Sequence, residues 1–453
     1  MSPQRSWSER NRSRTRGGYV LVLLFVVVLG VIASFTIGKN HQALSPYPFK
    51  PNRAPYVTSL DPIHAAEQGL IPGTASNGGT QSLSASIRAI EVLPHQIRLV
   101  SAGRIWRHIR GFDGTHATLA SITKAVNAND WIEKSGPAAF TLNSALIVDP
   151  ESRLVISFPA EHELTLTTRP GVFLGVQAGY LQLDRVTVQS SSPPPANSEG
   201  KVYEPFILAM HRAHMKIISS GVSGLGWDWN GSYGVSWMGQ SQGEASGSTF
   251  EHGFIGAYTN HVTGVAFRGN GFVHNQFYGI DPHSYSSGLV LTHNLAAYNG
   301  RHGIIFSKYV TGGTITHNVS RNNGENGIMM DKASTGNLIA NNQTTGNQGE
   351  GIVFSESNGN TAIENLIQSN RIGIVAIHGS KEEAVANNEV KSNQLASQGI
   401  SLNSTNQQEG NGGQWKNSTL LGIWFWALDL FVLLVLLTYI RIHKKRKRHV
   451  QLA

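Results

Sequence analysis

Gly-Ile pairs begin at Gly279, Gly303, Gly327, Gly351, Gly373 and Gly399, at steps of 24, 24, 24, 22 and 26 residues. Two asparagine series keep nearly the same step. One runs Asn275, Asn299, Asn323, Asn347, Asn370 and Asn393, and the other Asn294, Asn318, Asn342, Asn365 and Asn388. A period near two dozen residues marks a solenoid, in which each unit buries its inward side chains only by stacking on its neighbours. Period-two alternation within each unit, with Gly and Asn at the turns, rules out helical repeats. The expected fold is all-β, a right-handed parallel β-helix with one coil per repeat. The asparagines suit structural ladders and left-handed turn conformations.

Stacking places equivalent positions about 4.8 Å apart, so a step of 24 residues converts the sequence into columns. Ile280, Ile304, Ile328 and Ile352 form one apolar column, and Pro282, Phe306, Met330 and Phe354 another; both must face the core. The residues between them then point outward. Those columns read Tyr278–His302–Asn326–Glu350, Asp281–Ile305–Met329–Val353 and His283–Ser307–Asp331–Ser355, with Ser284–Lys308–Lys332–Glu356 just past them. Tyr278, Asp281 and His283 of "YGIDPHSYS" are thus expected together on an exposed sheet face. Arg301, His302, Lys308, Asp331 and Lys332 lie one or two coils along it as candidate substrate contacts. Such a face suits removal of a proton beside a carboxylate, which needs a base, a cation to hold the carboxylate, and an acid to return a proton. Histidine is a competent base near neutral pH. A polymer with residues spaced about 5 Å apart would match the coil spacing.

Other chemistries find little support. The chain has no cysteine, which excludes disulfides and thiolate metal sites. In "MHRAHM", His211 and His214 are expected on opposite faces with no acidic third ligand, so no metal site is read there. No Walker A, Rossmann, H-E-x-x-H or G-x-S-x-G motif occurs, and no cofactor is implied.

Two segments fit a bilayer: Gly18–Gly38 has no charge and Leu420–Ile440 has one acid, Asp429. Five arginines, Arg5 to Arg16, precede the first, and six basic residues, Arg441 to Arg448, follow the second. The positive-inside rule then puts both termini in the cytoplasm and the large middle outside it. The net charge of +8 resides in these tails, leaving the outer domain near neutral, so no nucleic-acid partner is expected. Asp429 reads as an intramembrane contact or as a tolerated acid. The expected organisation is a basic tail (1–17), a span (18–38), a tether (39–92) and a solenoid cap (93–140). The β-helix (141–400), a second tether (401–419), a second span (420–440) and a basic tail (441–453) follow. "SSSPPPANSEG" at 190–200 reads as a loop insertion.

The stretch 278–342, with the core "YGIDPH", resembles the periplasmic mannuronan C5-epimerases of alginate biosynthesis, and the likeness extends from about residue 140 to 400 and includes "GSYGVS" at 231–236. The resemblance implies a right-handed β-helix that converts β-D-mannuronate to α-L-guluronate within the polymer. It places the catalytic histidine at His283, the motif aspartate at Asp281 and the tyrosine at Tyr278. Lys308 stands where these enzymes usually carry the arginine assigned to the carboxylate, and Ser284 where they carry an acid. Lysine keeps the charge but not the bidentate geometry. The expected partners are an alginate-like polyuronate, the membrane and a polysaccharide synthesis or export complex. Two rivals share the residues: a lyase acting by β-elimination, and a non-catalytic polysaccharide scaffold.

Overall fold

The computed structural model describes residues 87–192, 198, 200–229, 231–381 and 383–411. Both apolar segments, both basic tails, residues 39–86 and residues 412–419 lie outside the described residues. Among the described residues no helix is long and apolar enough to cross a membrane.

Each coil gives one short strand to each of three sheets, which hold 14, 10 and 13 strands. From Ala139–Leu142 onward the pairings are parallel, giving a β-solenoid of about ten coils. Its register follows the sequence step: Ile280 pairs with Ile304, Ile304 with Ile328, and Ile328 with Ile352. These isoleucines, with Phe306, Met330 and Phe354, are sealed in the core. Removing each from water contributes roughly 1.5–3 kcal/mol.

The Gly-Ile repeat has a steric cause. A Cβ on Gly279 would lie 2.5 Å from the Gly303 carbonyl oxygen, and one on Gly303 would lie 2.0 Å from Ser320 Oγ. Gly279 therefore turns inward next to the inward Ile280, which breaks the alternation and leaves Tyr278 on the outer face. The asparagines form ladders as expected. In each, Oδ1 accepts from the backbone N–H and the Nδ2 of the asparagine one coil earlier, as between Asn299 and Asn323 at 3.1 and 3.0 Å. The left-handed backbone falls one residue before the ladder position, at His274, Tyr298 and Asn322 (φ +56°, +57° and +53°), not on the asparagines themselves.

At the N-terminal end, Arg88–Leu93, Gln96–Ser101 and Arg104–Arg110 make an antiparallel meander that joins the 14-stranded sheet through Ala145–Val148. All of the strand Arg88–Leu93 but Leu93 falls within the stretch read as a tether, because its six residues bury four in a row and show no alternation to announce a strand. The helix Leu119–Val126, begun by a Thr118–Ser121 capping box, buries Leu119, Ile122 and Val126 against the core. Beyond residue 400, Gln407–Glu409 pairs with Glu389–Lys391.

The outer face of the 14-stranded sheet is not uniformly open. Over the earlier coils Phe173, Phe206, Met238 and Tyr258 form a second apolar cluster with Tyr203 and Trp227, and Trp229 and Tyr233 pack against it. Tyr203, Trp227, Trp229 and Tyr233 come from the chain following the loop insertion and lie over this part of the sheet. The cover ends at Tyr258, one rung before Asp281.

Candidate functional site

The strand Ile280–His283 carries the motif, and its neighbours set the surroundings. On one side Tyr258 pairs with Asp281 and Asn260 with His283; on the other His283 pairs with Ser307, which pairs with Asp331. The Tyr258 ring leans on His283 with centroids 5.6 Å apart. Tyr278 stacks on His302 of the next coil at 5.1 Å, nearly parallel. Tyr278 and His302, members of one expected outward column, therefore sit on adjacent rungs of one surface.

That surface is more enclosed than an open sheet face. Asp281 retains 3% exposure and His302 5%, while Tyr278 and His283 are half-buried. Flanking side chains and the end of the aromatic cover supply the enclosure, which column reading cannot register. Enclosure sets the protonation states. Burial pulls the His283 pKa down to about 4, with Lys308, Lys332 and His261 acting in the same sense. Its imidazole is neutral near pH 7. Burial, joined by the charge of Asp331, holds the Asp281 carboxyl well above the usual carboxylate range. Its Oδ1 is buried with no hydrogen-bond partner. Burial also raises the Tyr278 hydroxyl, reinforced by Asp281, Glu325 and Asp331 against the opposing Arg301.

The partner of the His283 ring is its own neighbour: Nδ1 lies 2.6 Å from Ser284 Oγ. The sequence departure at Ser284 thus supplies a hydroxyl at hydrogen-bond distance from the imidazole.

His302 is held by a different set. Its Nδ1 accepts the Asn326 backbone N–H at 3.3 Å, so Nε2 carries the proton and donates to Glu325 at 3.2 Å. Arg301 donates to the other oxygen of Glu325 at 2.7 Å and lies over the Phe277 and Tyr278 rings. Burial lowers His302 to about 4 despite Glu325. Arg301, Glu325 and His302 thus brace the Tyr278 ring. Asp331 accepts from Ser307 Oγ at 3.4 Å and lies 3.8 Å from Lys332 Nζ. Lys332 is mostly exposed, and Lys308 lies at the corner next to Ser307. The structure brings all eight candidate residues onto three neighbouring coils.

Column reading missed Glu325 and Tyr258. Glu325 sits one step of 24 beyond Arg301, so the same columns held the signal. Tyr258 is 23 residues before its partner Asp281, and that shorter step hid it. His211 and His214 do not converge: His211 occupies an exposed turn, and His214 stacks on Tyr180 at 5.3 Å.

Comparison with known proteins finds 27% identity over 180 residues to the mannuronan C5-epimerase of Pseudomonas fluorescens, covering 36% of this chain and 34% of that one. The mannuronan C5-epimerase AlgG of Azotobacter vinelandii is also 27% identical, over 202 residues, covering 41% of this chain and 38% of that one. The chain is a distant homologue of the mannuronan C5-epimerases. The aligned region spans between a third and two fifths of the length of these relatives. The crystal structure of the periplasmic alginate epimerase AlgG superposes with a TM-score of 0.59 at 22% identity, over 65% of this chain and 82% of that one, which places the two in the same fold. A family described as "Periplasmic copper-binding protein (NosD)" matches residues 215–420. Among the described residues no three His, Asp or Glu side chains are grouped as a metal site would need.

Proposed function

We propose that this epimerase homologue inverts C5 of uronate residues within an exported polysaccharide, with mannuronan the expected polymer. The observation that carries the reading is the pairing of a neutral His283 with a protonated Tyr278 hydroxyl on one enclosed face that also holds Lys308 and Lys332. His283 takes the C5 proton, with Ser284 fixing the ring. The electron pair moves into the adjoining carboxylate, whose added charge is held by Lys308 and by a hydrogen bond from the protonated Asp281. Tyr278 returns a proton to C5 from the opposite side, and exchange with solvent resets both groups. Arg301, Glu325 and His302 position the Tyr278 ring, while Asp331 holds Lys332 in place. No cofactor enters the scheme.

The relatives include a periplasmic enzyme by its description. With the charge pattern of the tails, this supports a domain held at the outer side of the inner membrane, beside the apparatus that exports the polymer. The test incubates the full chain with polymannuronate and follows the products by proton NMR. New guluronate signals with unchanged chain length support the reading. Unsaturated chain ends would identify a lyase, and binding without turnover a scaffold; either result overturns it.

A further inference from the structure

Past the motif strand the chain turns a corner that carries an aromatic ladder. His261, Tyr285 and Tyr309 occupy the same place on successive coils, with ring centroids 5.0 and 4.8 Å apart and the two tyrosines within 8° of parallel. Tyr285 is 54% exposed and Tyr309 46%, whereas Phe173, Phe206 and Tyr258 lie buried in the aromatic cluster over the earlier coils. The ladder stops abruptly. The next coil places Ala333 at this corner, a single methyl, also in the left-handed conformation. The far face of the Tyr309 ring is therefore not capped by another ring, and Lys332 lies alongside with its side chain 57% exposed. The step is one coil deep, about 4.8 Å along the solenoid, which is close to the thickness of one sugar ring and its contact layer.

We propose that the end of this ladder is a sugar-stacking subsite, which binds a uronate of the polymer two rungs along from the His283 rung. The C–H face of a pyranose packs on Tyr309 over Ala333, and its carboxylate meets Lys332. Tyr285 backs Tyr309 and keeps its plane fixed. Two rungs span about 10 Å, or roughly two sugar residues of an extended polyuronate. The occupant is thus the same chain that presents its reacting residue to His283, and the inference rests on the reading that this face takes a polyuronate.

The test uses the full chain with Tyr285→Ala and Tyr309→Ala combined, and with Tyr285→Phe and Tyr309→Phe combined. Affinity for polymannuronate is measured in the His283→Ala background, and turnover with His283 intact. The alanine pair is expected to weaken binding about tenfold, equivalent to ~1.4 kcal/mol. It should raise KM by a similar factor with kcat changed less than about twofold, and the phenylalanine pair should restore both. Turnover with a KM indifferent to the alanine pair overturns the subsite and leaves the epimerase reading standing. Tyrosine-dependent binding without turnover does the reverse. Absence of polymannuronate binding to any variant overturns both.

Discussion

At the scale of single residues the site is governed by burial acting on titratable groups. His283 and His302 both sit near 4 when folded, against about 6.5 in an unfolded chain. Between those values the unfolded chain takes up protons that the folded one refuses, so stability falls as pH drops from about 6.5 to 4. Denaturant titrations at pH 7.5 and pH 5 should show this loss, and His302→Gln should reduce it. Catalysis should tolerate acid better than an ordinary histidine allows, since the base stays neutral until about pH 4. A pH–rate profile with its acid limb near 6.5 would contradict that environment. Asp281 has the opposite sign. Its raised pKa makes the folded form bind the proton more tightly, so stability is lost as pH rises through the range between its unfolded and folded values. Asp281→Asn is therefore expected to raise the unfolding midpoint at pH 7 but not at pH 3.5, while lowering activity at least tenfold, about 1.4 kcal/mol of barrier. A midpoint lowered at pH 7 would mean that Asp281 is ionised in the folded protein.

At the scale of elements, the coil is specified by two devices whose cost can be measured. Asn323 accepts from Asn299 and donates to the Ala296 carbonyl and to Asn347 inside the coil stack. Asn323→Ala strands several buried polar groups, and denaturant unfolding should report a loss of roughly 3 kcal/mol. Gly279→Ala drives a Cβ into the Gly303 carbonyl. It should cost roughly 1–3 kcal/mol and, by shifting Tyr278 beside it, lower kcat more than it changes KM. These devices were legible in the sequence because each recurs at a fixed step. The antiparallel meander and the helix Leu119–Val126 were not. They occur once, and an eight-residue helix with three buried positions resembles many short apolar stretches.

Across the whole solenoid, the 24-residue period brought Lys308 to the rung beside His283 and Lys332 to the one after it, and gathered all eight candidate residues. Its two failures follow from what a period omits. Where the step shortens to 23, Tyr258 drops out of the column although it lies against His283. Enclosure by the aromatic cluster around Trp227 is also invisible, because those side chains arrive from the irregular chain near 200–233. That enclosure matters for the chemistry, since an open sheet face would leave His283 and Asp281 with ordinary titration. The central claim is that this enclosed face exchanges the C5 proton of a polyuronate through His283. Polymannuronate incubated with the full chain in D₂O, hydrolysed and examined by mass spectrometry and NMR, tests it directly. Deuterium at C5 of the newly formed guluronate, abolished in His283→Ala and retained in Lys124→Ala on the distant helix, is the predicted result. C5 left unlabelled by the wild-type chain, or labelled equally by His283→Ala, would contradict it.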